Sequence, residues 1–245
     1  MKKRRDLIKK LNMNYVNVTN KSMADGSLDF PSMRCMIKKF PDYLALYTNP
    51  REYHKTDNTC VSFYNFDDTF DGPNGLLNAI KYDDTKRLNE FKDRFRGVKY
   101  FISPDISMFG DMQLYRVHFY MGLSREIGIW LSNECGGITI PHIGFTRPED
   151  FKIMLDGYEN VNTVAFSTKG KLKNIIEKQL LQEAVTYTVN HLELLENIIV
   201  YDASCDNREA NEIFSYAKEM GINIIIPDNI LKIRNRIKMI RGCAS

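Results

Sequence analysis

Two stretches near the C-terminus, Asn197–Asp202 (NIIVYD) and Ile222–Asp228 (INIIIPD), are apolar at consecutive positions and show no alternation. A strand that is apolar on both faces must be covered on both, which is the situation of a parallel sheet flanked by helices. Between them lies NREANEIFSYAKEMG, whose Asp206 or Asn207 is placed to cap a helix and whose Gly221 is placed to stop it. The same alternation extends upstream. Strands are predicted in DYLALYTN, CVSFYNF, VKYFISPD, GITIPHIGF and VNTVAFST. Helices are predicted in LLNAIKYDDTKRLNEFKDRFRG, in the stretch from Met112 through about Ser124, in RPEDFKIMLDGYEN and in LKNIIEKQLLQEAVTYTVNHLELLE. The last of these carries an apolar stripe at Leu172, Ile175, Ile176, Leu180 and Ala184. The fold class expected is α/β, a mostly parallel sheet with alternating helices, either doubly wound or an irregular, incomplete (β/α) barrel; about six strands are legible, and a full barrel has eight.

The expectation is one α/β domain over residues 1–245, with an irregular, turn-rich region at 1–60 and a basic C-terminal helix at 230–245. The chain is 43% hydrophobic and 27% charged, as soluble globular proteins are. No run approaches the ~18 apolar residues of a membrane span, and the basic start MKKRRDLIKKLNMN lacks the apolar centre of a secretory signal. A cytoplasmic protein without a membrane partner is therefore expected. The five cysteines are scattered, with no Cys-x-x-Cys pair, which disfavours a disulfide framework or a zinc site. Residues 1–10 hold six basic residues and one acid, and residues 232–241 hold five basic residues and none, against a total of +3. Two basic ends thus flank an acidic body. Lys2, Lys3, Arg4, Arg5, Arg234, Arg236 and Lys238 are candidate contacts to a phosphate backbone, with solvated termini as the plain alternative.

In parallel α/β folds, ligands sit where strands end and loops begin. The groups at those ends are Asp67 and Asp68, Asp105 and Ser107, His142, Ser167, Thr168 and Lys169, Asp202 and Ser204, and Asp228 and Asn229. The set suffices for acid–base chemistry, with Asp105, His142 and Asp202 as candidate catalytic residues and Ser107, Ser167, Thr168, Lys169 and Asp228 as candidate substrate-binding residues. A divalent metal ion held among carboxylates and histidine fits the same residue types, with its ligands unspecified. Each position also has a structural reading, since Asp, Ser and Thr cap helices and close turns. Asp111 reads as such a cap. Tyr115, Phe119, Tyr120 and Trp130 read as core at helical spacing. No nicotinamide or flavin fingerprint, G-x-S-x-G elbow or His-Glu-x-x-His motif is present.

The segments ISPDISMFGDM, TIPHIGF, LDGYENVNTVAFSTKG and NIIVYD resemble a family known only as a domain of unknown function, number 4417, found in bacteria, phages and mobile elements. The resemblance spans roughly residues 60–205 and rests on Pro104, Asp105, Ser107, Asp111, Met112, Pro141, Asp156, Gly157, Ser167, Thr168 and Gly170. Ile106 and Asp202 stand where it would place an aromatic and a glycine. It implies a mobile-element setting and work on or near nucleic acid. The expectation is a protein of phage or plasmid type that binds or acts on a nucleotide or nucleic acid at the sheet's C-terminal rim, with hydrolysis or transfer at a phosphate or glycosidic bond. The alternative is a non-enzymatic protein- or nucleic-acid-binding module working through its basic ends.

Overall fold

The computed structural model describes residues 30–65 and 68–242. Its strands are β1 (Arg34–Cys35), β2 (Tyr43–Leu46), β3 (Thr59–Ser62), β4 (Tyr100–Ile102), β5 (Ile138–Ile140), β6 (Asn160–Val161), β7 (Thr163–Ser167), β8 (Asn197–Tyr201), β9 (Asn223–Ile225) and β10 (Asp228–Asn229). Its helices are α1 (Asp68–Asp71), α2 (Leu76–Lys81), α3 (Thr85–Arg94), α4 (Leu114–Cys135), α5 (Phe151–Met154), α6 (Ile175–His191), α7 (Arg208–Ile213), α8 (Ser215–Glu219) and α9 (Ile230–Gly242). The fold is α/β with parallel strand pairs throughout the described residues; β8 is buried along its whole length as its apolar run predicts, whereas β9 is only half-buried.

Five strands hydrogen-bond in the order β10-β2-β3-β4-β5, three in the order β7-β8-β9, and β1 pairs with β6. A single parallel bridge, His142 to Ala165, joins the first group to the second. The segment 223–229 pairs with β8 through its first half and with β2 through its second, with Ile226 and Pro227 between. The sheet therefore wraps back towards β2 without closing into one continuous barrel. Tyr64, just after β3, stacks on Tyr201 of β8 at 4.6 Å between ring centroids, although β3 and β8 are not neighbours, so rings meet across the interior of the wrap.

Outside the sheet, Tyr47, Tyr53, Phe63, Phe91, Phe95 and Phe101 form one aromatic layer between β2–β4 and α3. The Arg94 guanidinium lies 4.4 Å from the Tyr47 ring centroid, so that layer holds a cation against ring faces. On the other flank α4 presses Gly128 onto Met33, Ser103 and Thr139; a Cβ there would come within 2.9 Å of the Met33 side chain.

Several sequence expectations shift. The helix expected to fade near Ser124 runs unbroken to Cys135 and ends on Gly136 in the left-handed conformation (φ 73°). Asp111 is exposed in the loop and does not cap it; α4 starts after Gln113 without a side-chain cap. Helix α6 begins at Ile175, capped by the Asn174 side chain. Ile175 and Ile176, in its first turn, are exposed, so the apolar stripe is buried only from Leu180 onward. The strand expected across TIPHIGF stops at Ile140, before Pro141.

Gly137 shows how closely β5 approaches β4: a Cβ there would lie 2.5 and 2.8 Å from Phe101 ring atoms and 3.0 Å from the Val98 carbonyl oxygen. Phe101 is fully buried and its ring cannot swing clear. Gly137→Ala is expected to destabilise the fold by about 1–3 kcal/mol, read as a lower urea midpoint at unchanged slope.

Candidate functional site

The sequence after β4 reads Ser103-Pro104-Asp105. Pro104 has no N–H to continue the strand, so the chain turns outward and carries Asp105 to the rim. After β5, Pro141 ends the ladder in the same way and His142 follows. The two residues meet: His142 Nε2 lies 2.9 Å from Asp105 Oδ1. The other ring nitrogen, Nδ1, lies 3.1 Å from the Tyr64 hydroxyl. The Ser103 hydroxyl oxygen accepts the His142 backbone N–H at 2.9 Å. Ser124, from α4, donates to the Pro104 carbonyl at 2.6 Å. Strands β3, β4 and β5 and helix α4 thus each contribute to one constellation.

Burial, and then the Asp105 charge, push the Tyr64 phenol well above the ordinary tyrosine value, so its hydroxyl stays protonated beside Nδ1. The His142 Nε2–H donates to the Asp105 carboxylate. Burial alone would raise the Asp105 carboxyl. The His142 charge and hydrogen bond outweigh it, with Lys171 and Lys169 adding to them, and hold the carboxyl below the ordinary aspartate range. The His142 side chain is 7% exposed, whereas that of Asp105 is 39% exposed. Tyr64 and His142 form a buried support, and the ionised carboxylate is the part that meets solvent.

Asp105 opens on a narrow cleft with an enclosed volume of about 10 Å3, lined by Pro104, Met108, Tyr120, Arg125, His142 and Tyr158, among others. Arg125 is nearly fully buried in its wall. Its guanidinium lies 4.3 Å from the Phe30 ring centroid and 4.2 Å from that of Tyr158. It donates to the backbone carbonyls of Met154 and Asp156. Arg125 therefore ties α4 to the 153–158 turn and shapes the cleft.

The other expected site residues divide. Lys169 reaches the same region, donating from Nζ to the Tyr64 carbonyl at 2.8 Å. Thr168 and Asp202 pair with each other instead, at 2.7 Å. Asp202 also accepts the Ser204 N–H at 3.2 Å and the Ser204 hydroxyl, closing the turn after β8. Successive strand residues face opposite sides. Because Tyr201 turns inward to Tyr64, Asp202 turns outward, and it is not among the residues that line the Asp105 cleft. The buried Ser167 hydroxyl accepts the Lys169 N–H at 3.1 Å. Ser107 is exposed on the loop beyond the cleft.

Asp228 pairs with Arg236 at 2.8 Å and lies 3.8 Å from Lys232, holding β10 to α9. Arg236 also donates to the Cys205 carbonyl, so it is committed within the chain, whereas Arg234 and Lys238 are exposed on α9. Asp67, Lys2, Lys3, Arg4 and Arg5 lie outside the described residues. Among the described residues, no three His, Cys, Asp or Glu side chains are grouped so as to hold a metal ion.

Tyr64 is the residue that the sequence reading passed over. Its signal was available: Cys60, Ser62 and Tyr64 alternate along one face of β3 and its extension.

A family model for a domain of unknown function (DUF4417) matches residues 22–217. The chain belongs to that family. The DUF4417 match begins earlier and ends later than the resemblance seen in the sequence. It takes in Tyr64, Asp105, His142 and Lys169 together, and it stops within α8, before the strands β9 and β10 and the basic helix α9. No curated protein matches the chain. Among the described residues, no helix is long and apolar enough to cross a membrane.

A carboxyl whose folded value is depressed stabilises the fold above its unfolded value and loses that contribution as pH falls through the folded one. Asp105 should thus contribute fully above about pH 4 and progressively less below it. In His142→Ala the lowering partner is gone and burial remains, so the Asp105 carboxyl should titrate at higher pH than in the wild type. Carbon-13 NMR titration of the Asp105 carboxyl reads this directly; an unmoved titration would show that His142 does not set its charge.

Proposed function

We propose that this DUF4417 protein binds a nucleotide or nucleic acid at the Asp105 cleft, in the cytoplasm, and cleaves or transfers at a glycosidic bond. The observation that carries the reading is the Tyr64–His142–Asp105 chain, which fixes an ionised carboxylate at the mouth of a cleft. The enclosed volume of about 10 Å3 has room for about one water, so a ligand meets Asp105 at the cleft's mouth, where the carboxylate is exposed.

The charge of Asp105 favours one chemistry over its rivals. A carboxyl held below its ordinary range is a weak general base near neutral pH. A bare carboxylate repels an attacked phosphoryl group, but it stabilises the positive charge that develops on a sugar ring as a glycosidic bond opens. In that step the C1′–N bond breaks and its electron pair leaves with the base. Water supplies hydroxide to C1′ and its proton to the departing nitrogen, giving free base and sugar phosphate. Lys169 and Lys171 add positive charge on the same side, which supports a phosphate-bearing substrate. Four free cysteines among the described residues agree with a reducing compartment. The family resemblance adds the phage and mobile-element setting as part of this proposal.

A second reading, a nucleic-acid-binding module without catalysis, rests on Arg234 and Lys238, exposed on α9. The test is release of free base from nucleoside monophosphates and from oligonucleotides, followed by chromatography. Asp105→Asn should lower kcat/KM by about 10³-fold with the fold intact by circular dichroism, and Tyr64→Phe by about tenfold, through loosened positioning of His142. Full activity in Asp105→Asn would sink the proposal. Binding without turnover, with a salt slope reduced by about 2 in the Arg234→Gln, Lys238→Gln double variant, would favour the second reading.

A further inference from the structure

Helix α4 is the element that both walls the cleft and carries a face with no structural task. Its buried side is Val117, Met121, Ser124 and Gly128, at the spacing of one helix face. The opposite side of its first two turns should be polar. Instead Tyr115 is 67% exposed and Phe119 is 59% exposed, and Phe109 in the preceding loop is 62% exposed. The core packing that the sequence predicts for Tyr115 and Phe119 is therefore overturned. The face runs into the cleft, because Phe119 contacts Tyr120, at 5.7 Å between ring centroids, and Tyr120 lines the cleft.

We propose that this face is a stacking platform for single-stranded nucleic acid leading into the Asp105 cleft. The inference rests on the nucleotide reading of the cleft and deepens it: the substrate is a strand, and the nucleotides next to the reacting one lie on Tyr115, Phe119 and Phe109. Three observations select this occupant. The exposed groups are mainly rings, and a ring offers a base a π-face whatever the sequence. Tyr115 and Phe119 are one helical turn apart, so successive bases can engage both. The flanking charge suits phosphates: Arg116 is exposed and its Nε donates to the Tyr115 hydroxyl at 3.1 Å. Arg147 reaches the Phe109 loop, donating to the Met112 carbonyl at 3.2 Å. Asp111 is the single acid of this loop besides Asp105 itself, and α4 carries none before Glu126.

The experiment is fluorescence anisotropy on the full chain with a labelled oligothymidylate of about 12 nucleotides, within the span such sites cover. An abasic oligomer of equal length and the Tyr115→Ala, Phe119→Ala double variant serve as comparisons. Calorimetry with thymidine monophosphate reports the cleft separately. The proposal expects wild-type binding, loss of about tenfold or more in affinity both in the double variant and for the abasic oligomer, and unchanged binding of the mononucleotide. Equal affinity for the oligothymidylate and the abasic oligomer, or an unaffected double variant, overturns the platform. If the mononucleotide still binds in that case, the cleft reading stands. Stacking-dependent strand binding without base release leaves the platform standing and removes the glycosidic reading. Absence of strand binding overturns the platform as well, and concentration-dependent self-association that the double variant abolishes would then assign the face to a second copy of the chain.

Discussion

The junction at Pro141 and His142 is the point on which both the sheet and the candidate site depend. Residues of β5 present their N–H groups alternately to the two neighbouring strands. Ile138 donates to Lys99 on the β4 side, while Thr139, Pro141 and Ile143 point away from β4, and Pro141 and Ile143 meet β7. Pro141 has no N–H to give, and that of Thr139 goes to the Ser132 hydroxyl of α4. Only Ile143, donating to Ala165, and Ala165, donating to Pro141, remain to join β5 to β7. The pairing collapses to one bridge, and the residue in that bridge is His142. Its own N–H goes to the Ser103 side chain. The same defect that interrupts the sheet therefore fixes the backbone of the imidazole from both sides. A histidine held this firmly needs only Tyr64 behind it to aim its ring at Asp105.

How much of this was legible follows from what the sequence encodes locally. Strands β7 and β8 and most of the helices are written in runs of one periodicity, and these are found where the pattern places them. The rim position of Asp105 was legible because Pro104 ends a strand wherever it stands. The pairing of Asp105 with His142 was not, because it depends on the register Tyr100 to Ile138, a contact between strands 38 residues apart. Asp202 shows the opposite failure. It ends a strand just as Asp105 does, and nothing local distinguishes them. What separates them is the facing of Tyr201, whose ring is drawn inward by Tyr64 from a strand that is not its neighbour. Composition at strand ends identifies the rim, and only the face of each side chain sorts the site from the caps.

The buried cation of α4 was illegible for a related reason. Arg125 in a helix reads as solvated, yet it is nearly fully buried, with the rings of Phe30 and Tyr158, far apart in the sequence, both brought against its guanidinium. Backbone carbonyls at 153–156 take its N–H groups. Carbonyls and ring faces thus hold a positive charge beside the cleft. It thus complements the carboxylate of Asp105 across the opening without competing for it.

That distribution of charge bears on what enters. A carboxylate alone at a cleft mouth would exclude anions, yet Asp105 is set among His142, Lys169 and Lys171, and Arg125 stands in the wall. A ligand that carries a phosphate can approach the cations while its neutral or developing-positive portion faces Asp105. A purely anionic ligand gains nothing from the carboxylate, and a purely cationic one is opposed by the surrounding lysines and arginine. Such a setting suits molecules whose charge is uneven along their length, and the nucleotide proposed as ligand, with phosphate at one end and an opening glycosidic bond at the other, has that form.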